Sequence, residues 1–580
     1  MASFNWLQPK YPGIPKLTHI RPWCLAWGND VETTRPVIWQ ENPVTLCSQG
    51  TSQPLSAYWA ESSSRRFVVL GEVWLSNRMT LLRQLDIPLP KGAGDDRQLI
   101  AQLWEQFGPA CLSNLLGMFG FAIWDREQQE LWLVRDACGA YTLYYTIAGA
   151  TTWIAPQLRS LAPYHSMDLD WVALRDYLCC AFVPGDRTLW QQVRELRPGS
   201  LLRLPDRQLQ TYWQPQEKMP PNPAPFEYYR DQLRDELNQV MREYLPTGEP
   251  VGIFLSGGLD SSCITALAHQ LHDAPIHTYS IHFGPQTPNE LEFSNLIAKQ
   301  CQTEHHILEI SLTDLWGTLP DAMAALDDPI GDPLTVPNLL LGKLAKQAVQ
   351  VILNGEGGDP CFGGPKNQPM LMNTLYHELT QQDALSAYLL AFQKCAADLP
   401  QLLKSEIWAG VKEIPSIFSE DLQSDARYLN QLMSLNIKFK GADHILTKVN
   451  NLTQATGLQG RSPLFDRRIV DMSLQIPPGY KLRGAEEKAI LKQAVADLLP
   501  EQILRRPKSG MMVPVQLGFR QVWRRQAKAL LLNRKAAIAP YLNQTLLRDW
   551  LEYEGDTWGR YGVKLWLLAS LEIWLQGNRT

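Results

Sequence analysis

The sequence predicts two unlike domains in one chain of 580 residues: a sheet-rich α+β domain, then an α/β domain with a mostly helical C-terminal part. Short runs of β-branched and aromatic residues fill residues 1–213. Residues 214–226, with five prolines among polar neighbours, have the composition of a linker. After it, apolar runs alternate with helix-period segments, which is typical of a parallel sheet that helices cover on both faces.

The first region predicts mainly strands. Residues 65–75, 120–136 and 140–155 have strand-like composition, and residues 125–129 are expected to form a hairpin turn. One helix is predicted over residues 95–108, because its apolar residues recur at helical spacing and Asp95 and Asp96 lie where an N-cap is expected.

The second region, residues 227–580, predicts buried strands over residues 251–255, 276–283 and 348–355. A helix is expected over residues 262–271, and residues 370–580 are expected to be mostly helical. The predicted organisation is therefore a first domain over 1–213, a linker over 214–226 and a second domain over 227–580.

Composition excludes several classes of protein. The net charge is −5 and the pI about 6.1, so no basic field points to nucleic acid. No apolar run approaches the roughly 20 residues of a membrane span. The ten cysteines include no C-x-x-C pair and the N-terminus has no signal-peptide pattern, so we expect a cytoplasmic protein without a zinc ribbon.

The stretch SGGLDSS, residues 256–262, separates a buried strand from a helix. Backbone N–H groups at such a place bind phosphate, and glycine allows the close approach. Asp260 would repel phosphate unless a cation lies between them, and Mg²⁺ is the natural bridge. The Walker A pattern is absent. An ordinary strand–turn–helix connection is the alternative.

A second glycine-rich turn, NGEGGDP, follows the strand predicted over 348–355 and carries Glu356 and Asp359. The carboxyl ends of parallel strands meet at one edge of the sheet. Asp260 and Asp359 are therefore candidate Mg²⁺ ligands, and Glu356 is a candidate base that takes a proton from an amine or an adduct. Taken alone, both acids are also typical of helix caps and turns.

These residues carry a family resemblance. SGGLDSS resembles the pyrophosphate loop of the N-type ATP pyrophosphatases, which cleave ATP between the α and β phosphates. The ordered blocks LSGGLDSS, TEHHILEI, DDPIGDPLTVP, NGEGGDPCFGG, GRSPLFDRRIVD and RRPKSGMMVP resemble the asparagine synthetase superfamily. In the first region, LLGMFGFAIWD, LWLVRDACGAYTLYY and LRPGSLLRL resemble its class II glutamine amidotransferase domain.

The resemblance implies an Ntn-type sandwich followed by an α/β adenine-nucleotide α-hydrolase-like (PP-loop) synthetase domain. It implies ATP contacts at Leu255, Ser256, Gly257, Gly258, Asp260, Ser261, Ser262, Ile281, Asn354 and Gly355. Asp260 and Asp359 would bind Mg²⁺, and Glu356 would lie at the acyl site. Lys508 would stabilise charge on the phosphates or the tetrahedral intermediate. Lys488 matches a further family lysine, although a solvated helix charge explains it equally well.

The glutaminase half departs from the family pattern. The family nucleophile is an N-terminal cysteine, whereas this sequence has Ala2, and its first cysteine is Cys24. The family turn NGE, whose Asn helps to form an oxyanion hole, is here Leu70-Gly71-Glu72. We therefore expect no glutamine hydrolysis and a first domain that serves as a scaffold or docking surface. Two branches of the superfamily share such a loss, the β-lactam synthetases and the lasso-peptide macrolactam synthetases.

The acyl side departs as well, because the charged family pattern KxDR…SxExR is replaced at Asn450, Asn451 and Gln459. Fewer charges fit a larger, less charged substrate than free aspartate. The sequence thus predicts an AMP-forming amide synthetase that uses ATP and Mg²⁺ and joins a carboxylate to an amine, preferably of the same small molecule or peptide. A lasso-type substrate would bring a peptidase or leader-peptide-binding partner.

Three alternatives stay open. The nearest is an asparagine synthetase that uses free ammonia or, as family members do, glutamine. The second is a scaffold protein with a vestigial ATP site, and the third is tRNA modification, which the acidic net charge disfavours.

Overall fold

The structure, a computed structural model, describes residues 23–29, 31–33, 35–48, 58–85, 95–285, 287–364, 381–484, 486–506, 511–556 and 560–578. The statements below concern these residues. Among the described helices, none is long and apolar enough to cross a membrane.

Two antiparallel six-stranded sheets form the first domain, in the orders β10-β8-β9-β1-β3-β2 and β12-β11-β7-β6-β5-β4. The strands are β1 (Trp23–Trp27), β2 (Val37–Glu41), β3 (Val44–Ser48), β4 (Trp59–Glu61), β5 (Phe67–Leu75), β6 (Gly117–Asp125), β7 (Glu130–Arg135), β8 (Tyr144–Ala148), β9 (Thr151–Ala155), β10 (Val193–Glu195), β11 (Ser200–Leu204) and β12 (Gln208–Thr211).

The alternation of side chains along these strands builds a four-layer sandwich. In β6, Ala122 and Trp124 face the other sheet, whereas Phe121 and Ile123 face helix α2 (Asp96–Phe107). The outer face of the first sheet packs against helix α3 (Trp171–Cys180) in the same way. Helix α1 (Arg78–Gln84) follows β5. The predicted α+β sandwich is confirmed.

Local sequence signals place the boundaries of two predicted elements. The side chain of Asp95 accepts a hydrogen bond from the backbone N–H of Arg97, so it caps α2. Asp125 Oδ1 accepts from the N–H groups of Glu127 at 2.9 Å and Gln128 at 3.2 Å, which closes the predicted hairpin turn.

A five-stranded parallel sheet forms the centre of the second domain, in the order β15-β14-β13-β16-β17. Its strands are β13 (Val251–Phe254), β14 (Ile276–His282), β15 (Glu304–Glu309), β16 (Val351–Leu353) and β17 (Gln459–Arg461). Helices cover both faces of the sheet, as the continuous apolar runs predict.

The helices around this sheet begin with α4 (Phe226–Tyr244), α5 (Leu259–Leu271), α6 (Leu291–Gln300), α7 (Leu312–Ala325), α8 (Thr335–Ala345) and α9 (Gly358–Phe362). Helix α5 starts three residues before the predicted position, directly after the glycine pair, and Gly258 O already accepts a hydrogen bond from Ser262 N–H.

The described part of the last third is mostly helical, as predicted. It contains α10 (Gln381–Ala391), α11 (Leu399–Leu402), α12 (Ser405–Val411), α13 (Tyr428–Leu435), α14 (Thr447–Ala455), α15 (Arg467–Gln475), α16 (Pro478–Lys481), α17 (Ala489–Ala494), α18 (Glu501–Leu504), α19 (Val515–Leu517), α20 (Arg524–Leu531), α21 (Gln544–Glu552) and α22 (Tyr561–Asn578), with π-helical turns at Asn436–Leu446 and Gly518–Val522.

The first domain and the C-terminal helices share one apolar core. Trp190 stacks on Trp574 with ring centroids 5.5 Å apart, and the hydroxyl of Tyr177 donates to Leu567 O at 2.9 Å. The segment between β12 and α4 contains neither helix nor strand, and the predicted domain boundaries remain a prediction. All ten cysteines are free and buried.

Candidate active site

The loop from Ser256 to Ser261 joins β13 to α5 and is held by its own hydroxyl groups. Ser261 Oγ accepts a hydrogen bond from Ser256 N–H at 3.2 Å and lies 3.1 Å from Ser256 Oγ. Gly257 has φ +76°, and a side chain there would meet Ser294 N at 2.6 Å. Only glycine therefore fits this turn, which keeps the loop close to the start of α6.

The second loop, from Asn354 to Asp359, joins β16 to the short helix α9 and touches the first. A Cβ on Gly355 would lie 2.5 Å from Ser261 N, so the two backbones are in direct contact. The side chain of Asn354 donates from Nδ2 to Arg461 O at 3.1 Å, and its Oδ1 accepts from Glu356 N–H at 3.0 Å. Asn354 thus ties β17 to the turn that presents Glu356.

Three of the predicted charged residues meet where these two loops touch. Lys488 Nζ lies 2.5 Å from Asp260 Oδ2 and 2.5 Å from Asp359 Oδ1. The lysine side chain is 3% exposed, that of Asp260 13% and that of Asp359 42%. The two carboxylates therefore converge on one cation position at the tips of adjacent strands, and this position opens to solvent on the side of Asp359.

The remaining predicted residues fall into different environments. Leu255 and Ile281 are buried at the ends of β13 and β14, on the same edge of the sheet as the loops. Ser262 belongs to α5 and has no exposed surface, so its hydroxyl is buried. Lys508 lies outside the described residues.

Arg506, two residues before Lys508, anchors the chain to the loop between Ser256 and Ser261. Its Nη1 donates to Gly257 O at 3.1 Å, and its guanidinium carbon lies 4.0 Å from the centroid of the Phe293 ring. It also forms an ion pair with Glu290. The predicted site residues thus have a positively charged neighbour that the sequence did not single out.

A second charged cluster, which the sequence did not indicate, lies beside Glu356. Lys448 Nζ is 2.6 Å from Asp332 Oδ2, and His444 Nε2 is 3.3 Å from the same oxygen. Burial would raise the pKa of Asp332, but Lys448 and His444 outweigh it and hold that pKa well below the usual value. Burial would lower the pKa of Lys448, but Asp332 and Glu356 raise it. Burial lowers the pKa of His444 to about 4.

The three uncharged replacements on the acyl side are used in structural contacts. The side chain of Asn450 donates to Ala140 O of the first domain, and Asn451 Nδ2 donates to Asp327 Oδ2 at 3.1 Å. Gln459 Oε1 accepts from both Nε and Nη2 of Arg461, at 3.2 and 2.6 Å. Asn450 and Asn451 therefore connect α14 to other segments, Gln459 holds Arg461 within β17, and none of the three adds charge to the site.

The glutaminase-like half has an apolar residue where the family pattern has a side-chain donor. Leu70 is fully buried in the core between the two sheets, next to Gly71 with φ +135°. Ala2 lies outside the described residues. The Arg135–Asp136 step is structural: Arg135 donates to Tyr141 O and Leu196 O, both at 2.7 Å.

An apolar cavity of about 420 Å³ lies elsewhere, between α7, α20 and α22. It is lined by Trp316, Met323, Leu530 and Trp574 among others, and none of the described site residues lines it. Cavity volume therefore does not locate the predicted chemistry in this protein; the converging charged groups do.

Comparisons with known proteins agree with this architecture. The asparagine synthase family model matches residues 232–576, and that of the glutamine amidotransferase domain matches residues 44–213. Asparagine synthetase [glutamine-hydrolyzing] 1 of Bacillus subtilis (strain 168) is 25% identical over 569 residues, covering 90% of this chain and 86% of its own. Amidase chyE of Penicillium rubens is 22% identical over 492 residues, covering 72% and 73%.

Among solved structures, glutamine phosphoribosylpyrophosphate (PRPP) amidotransferase from B. subtilis, complexed with ADP and GMP, covers 50% of this chain and 59% of its own at 12% identity. Its TM-score of 0.21 is too low to add to the argument.

Two glycine-rich loops whose acids share one lysine, next to an amidotransferase-like sandwich, fit an ATP-dependent carbon–nitrogen ligase, and this protein is such an enzyme. The chain belongs to the asparagine synthase family, whose model covers more than half of its length.

Proposed function

We propose that this ligase adenylates a substrate carboxylate, releases pyrophosphate and joins the acyl group to an amine of the same substrate, without hydrolysing glutamine. The observation that carries the proposal is the convergence of Asp260 and Asp359 on the ammonium of Lys488. A site that neutralises a departing pyrophosphate needs positive charge close to backbone N–H donors.

The residues present fit Mg²⁺. Two carboxylates face one position, and the ammonium of Lys488 shows that positive charge is accommodated there. Carboxylate oxygens are the hard ligands that Mg²⁺ prefers. Asp260 and Asp359 would hold the ion. When bound, it supplies charge that neutralises the β and γ phosphates.

We assign adenylation to the loop between Ser256 and Ser261. A carboxylate oxygen of the substrate attacks the α phosphorus of ATP, the bond between Pα and the bridging oxygen breaks, and its electron pair leaves with pyrophosphate. The N-terminus of α5 and the glycine backbone bind the phosphates, and Lys488 stabilises the charge that the leaving group gains.

Amide formation is assigned to the side of the site that carries Glu356. An amine nitrogen attacks the acyl carbon, the carbon–oxygen bond to AMP breaks, and AMP leaves with the electron pair. Glu356 accepts the proton that the amine loses, and Lys448 lies close enough for its pKa to be raised by Glu356. An amine in the same molecule adds the advantage of proximity.

An intramolecular amine is supported by two features. Leu70 stands where the family pattern has a side-chain donor, which argues against ammonia production from glutamine in this half. Asn450, Asn451 and Gln459 are already engaged in structural contacts and offer no charged partner for the headgroup of a free amino acid.

The second candidate is an asparagine synthetase. The similarity to the B. subtilis asparagine synthetase supports it, since it spans 86% of that protein. In this case aspartate would supply the carboxylate, and ammonia or glutamine the nitrogen.

ATP–pyrophosphate exchange measured over a panel of carboxylates tests the proposal. The panel contains aspartate, β-amino acids and peptides with a free N-terminus and an internal Asp or Glu. Exchange with a peptide or β-amino acid, followed by loss of one water from its mass, supports the proposal. Aspartate turnover with ammonium, or glutamate release from glutamine, contradicts it.

A peptide substrate would also require a partner that delivers it. A peptidase or leader-binding protein that increases turnover at low peptide concentration fits the lasso-type form of the proposal. A β-amino acid substrate that needs no second protein fits the β-lactam form.

A further inference from the structure

Three side chains of metal-binding types, two histidines and one glutamate, meet at the start of two neighbouring strands. His277 is the second residue of β14, and Glu304 is the first residue of β15. The parallel register pairs His277 with Glu304, and His306 lies two residues further along β15, on the same face as Glu304. The strand pairing itself therefore brings the three side chains together.

We propose that His277, Glu304 and His306 form a binding site for a divalent transition metal ion of the Zn²⁺ type. His277 Nδ1 lies 3.2 Å from His306 Nε2 and 3.5 Å from Glu304 Oε2. All three ligand atoms lie within 4.8 Å of one another. Ligands at 2.0–2.2 Å from a tetrahedral Zn²⁺ lie about 3.3–3.5 Å apart, which is the spacing found at His277.

The rings are held in place for this role. The ring of His306 is nearly parallel to that of His277, with centroids 5.5 Å and planes 14° apart, and to that of Tyr279, with centroids 5.0 Å and planes 15° apart. His277 is buried, whereas Glu304 is exposed, so the site opens to solvent on one side. Two imidazoles and one carboxylate suit Zn²⁺, Co²⁺, Ni²⁺ or Cu²⁺ far better than Mg²⁺, and a water completes the set.

The site is separate from the ATP loops. The loops follow the carboxyl ends of β13 and β16, whereas His277 lies at the amino end of β14, roughly 16 Å of strand away from His282. Strand β15 is the edge of the sheet, and it pairs with β14 alone within the sheet. A metal between these strands fastens the edge to the sheet, so its role is stabilisation and does not depend on the proposed reaction.

The test uses the full chain after removal of metal with EDTA and dialysis. Zn²⁺ is titrated by calorimetry and by competition with a chromophoric chelator, and Co²⁺ is added to record the visible absorption of four-coordinate nitrogen and oxygen ligation. We expect one Zn²⁺ per chain and a rise in Tm on saturation. Glu304→Gln and His306→Gln should each weaken binding by at least about tenfold.

The matched controls are His282→Gln and Glu309→Gln, which change the other histidine–glutamate pair of the same two strands, 3.9 Å apart. They should bind Zn²⁺ as the unaltered chain does. Equal affinity in Glu304→Gln and His306→Gln, or a wild-type Kd above about 0.1 mM, would overturn the proposal and leave a histidine–glutamate hydrogen-bond cluster. If a variant fails to fold, the Co²⁺ spectrum of the wild type decides: four-coordinate bands support the site, and their absence contradicts it.

Discussion

Lys488 Nζ lies 2.5 Å from Asp260 Oδ2, although the two residues are 228 positions apart in the chain. Lys488 has a left-handed backbone with φ +53° at the N-cap of α17. A side chain other than glycine in this region is uncommon and costs of order 1 kcal/mol, and such residues cluster at functional sites. The lysine is thus fixed in a position that joins both loops of the candidate active site through their acids.

Replacing Lys488 by Met should destabilise the chain and make it more sensitive to Mg²⁺. Two partly buried carboxylates would face each other without their shared cation, which should cost about 1–3 kcal/mol, between the values for exposed and buried pairs. Mg²⁺ can replace the lost charge, so it should raise Tm more in the variant than in the wild type. Thermal unfolding with and without Mg²⁺ measures this, with Lys492→Met as the control. An identical Mg²⁺ effect on both proteins would argue against a shared cation position.

Asp260→Asn and Asp359→Asn should each lower ATP–pyrophosphate exchange by about 10²–10³-fold, because an amide is a poorer ligand and adds no negative charge. Both substitutions preserve the shape of the side chain. Asp273→Asn, an exposed aspartate after α5, should leave the exchange rate unchanged. If either site variant retained exchange within a few-fold of the wild type, its carboxylate would not bind the metal.

Local sequence pattern was enough to predict the strand–loop–helix units of the site. A buried strand that ends in two glycines and a serine-rich helix start leaves few other structures, and two such units in one parallel sheet must share an edge. The Lys488 position could be suggested only by the family resemblance, because nothing near it in sequence indicates that it reaches Asp260.

The contacts that could not be predicted from the sequence mostly join residues that are far apart in the chain. Asp332 and Lys448 are 116 residues apart, and only the packing of α14 against the segment before α8 makes them partners. The ATP contact of Asn354 stays a prediction, but the hydrogen bond by which its side chain positions Glu356 was not predicted. The His277 cluster required the register of two strands, which alternating apolar residues alone do not specify.

Glu356→Gln should separate the two halves of the reaction. Adenylation does not use the Glu356 carboxylate, so ATP–pyrophosphate exchange should stay within a few-fold of the wild type. Amide formation should fall by about 10²–10⁴-fold. The turn itself should persist, because the backbone N–H of residue 356 makes the bond to Asn354. Rapid-quench measurement of acyl-adenylate and product checks this. Equal loss in both steps would remove Glu356 from the role of base.

Asn450→Asp, which restores a family-like charge, should destabilise the chain by about 2–4 kcal/mol. The side-chain N–H₂ of Asn450 is buried and donates to Ala140 O, so a carboxylate would lose the bond and place two acceptors face to face. Asn533→Asp is the control, because its exposed side chain accepts a bond that Asp can also accept. Urea unfolding compares the two. A neutral Asn450→Asp would show that the domain contact does not depend on this amide.

Because of His444, the free energy of unfolding should decrease as the pH is lowered from 7 to 5. Its pKa in the folded protein is about 4, below the usual 6.5, because burial disfavours the charged ring. The cations Lys448 and Lys440 lower this pKa further, Asp332 opposes them, and the uncharged ring of Phe182 stacks on the imidazole. The unfolded chain therefore binds more protons in this range, and the contribution of His444 is full above pH 6.5 and is lost as the pH falls towards 4.

The expected loss between pH 7 and pH 5 is about 2 kcal/mol of unfolding free energy. His444→Gln should remove that part of the slope, whereas His269→Gln, at an exposed position of α5, should leave it intact. Urea unfolding at both pH values gives the slopes, and equal slopes in wild type and His444→Gln would mean that this histidine titrates normally in the folded chain.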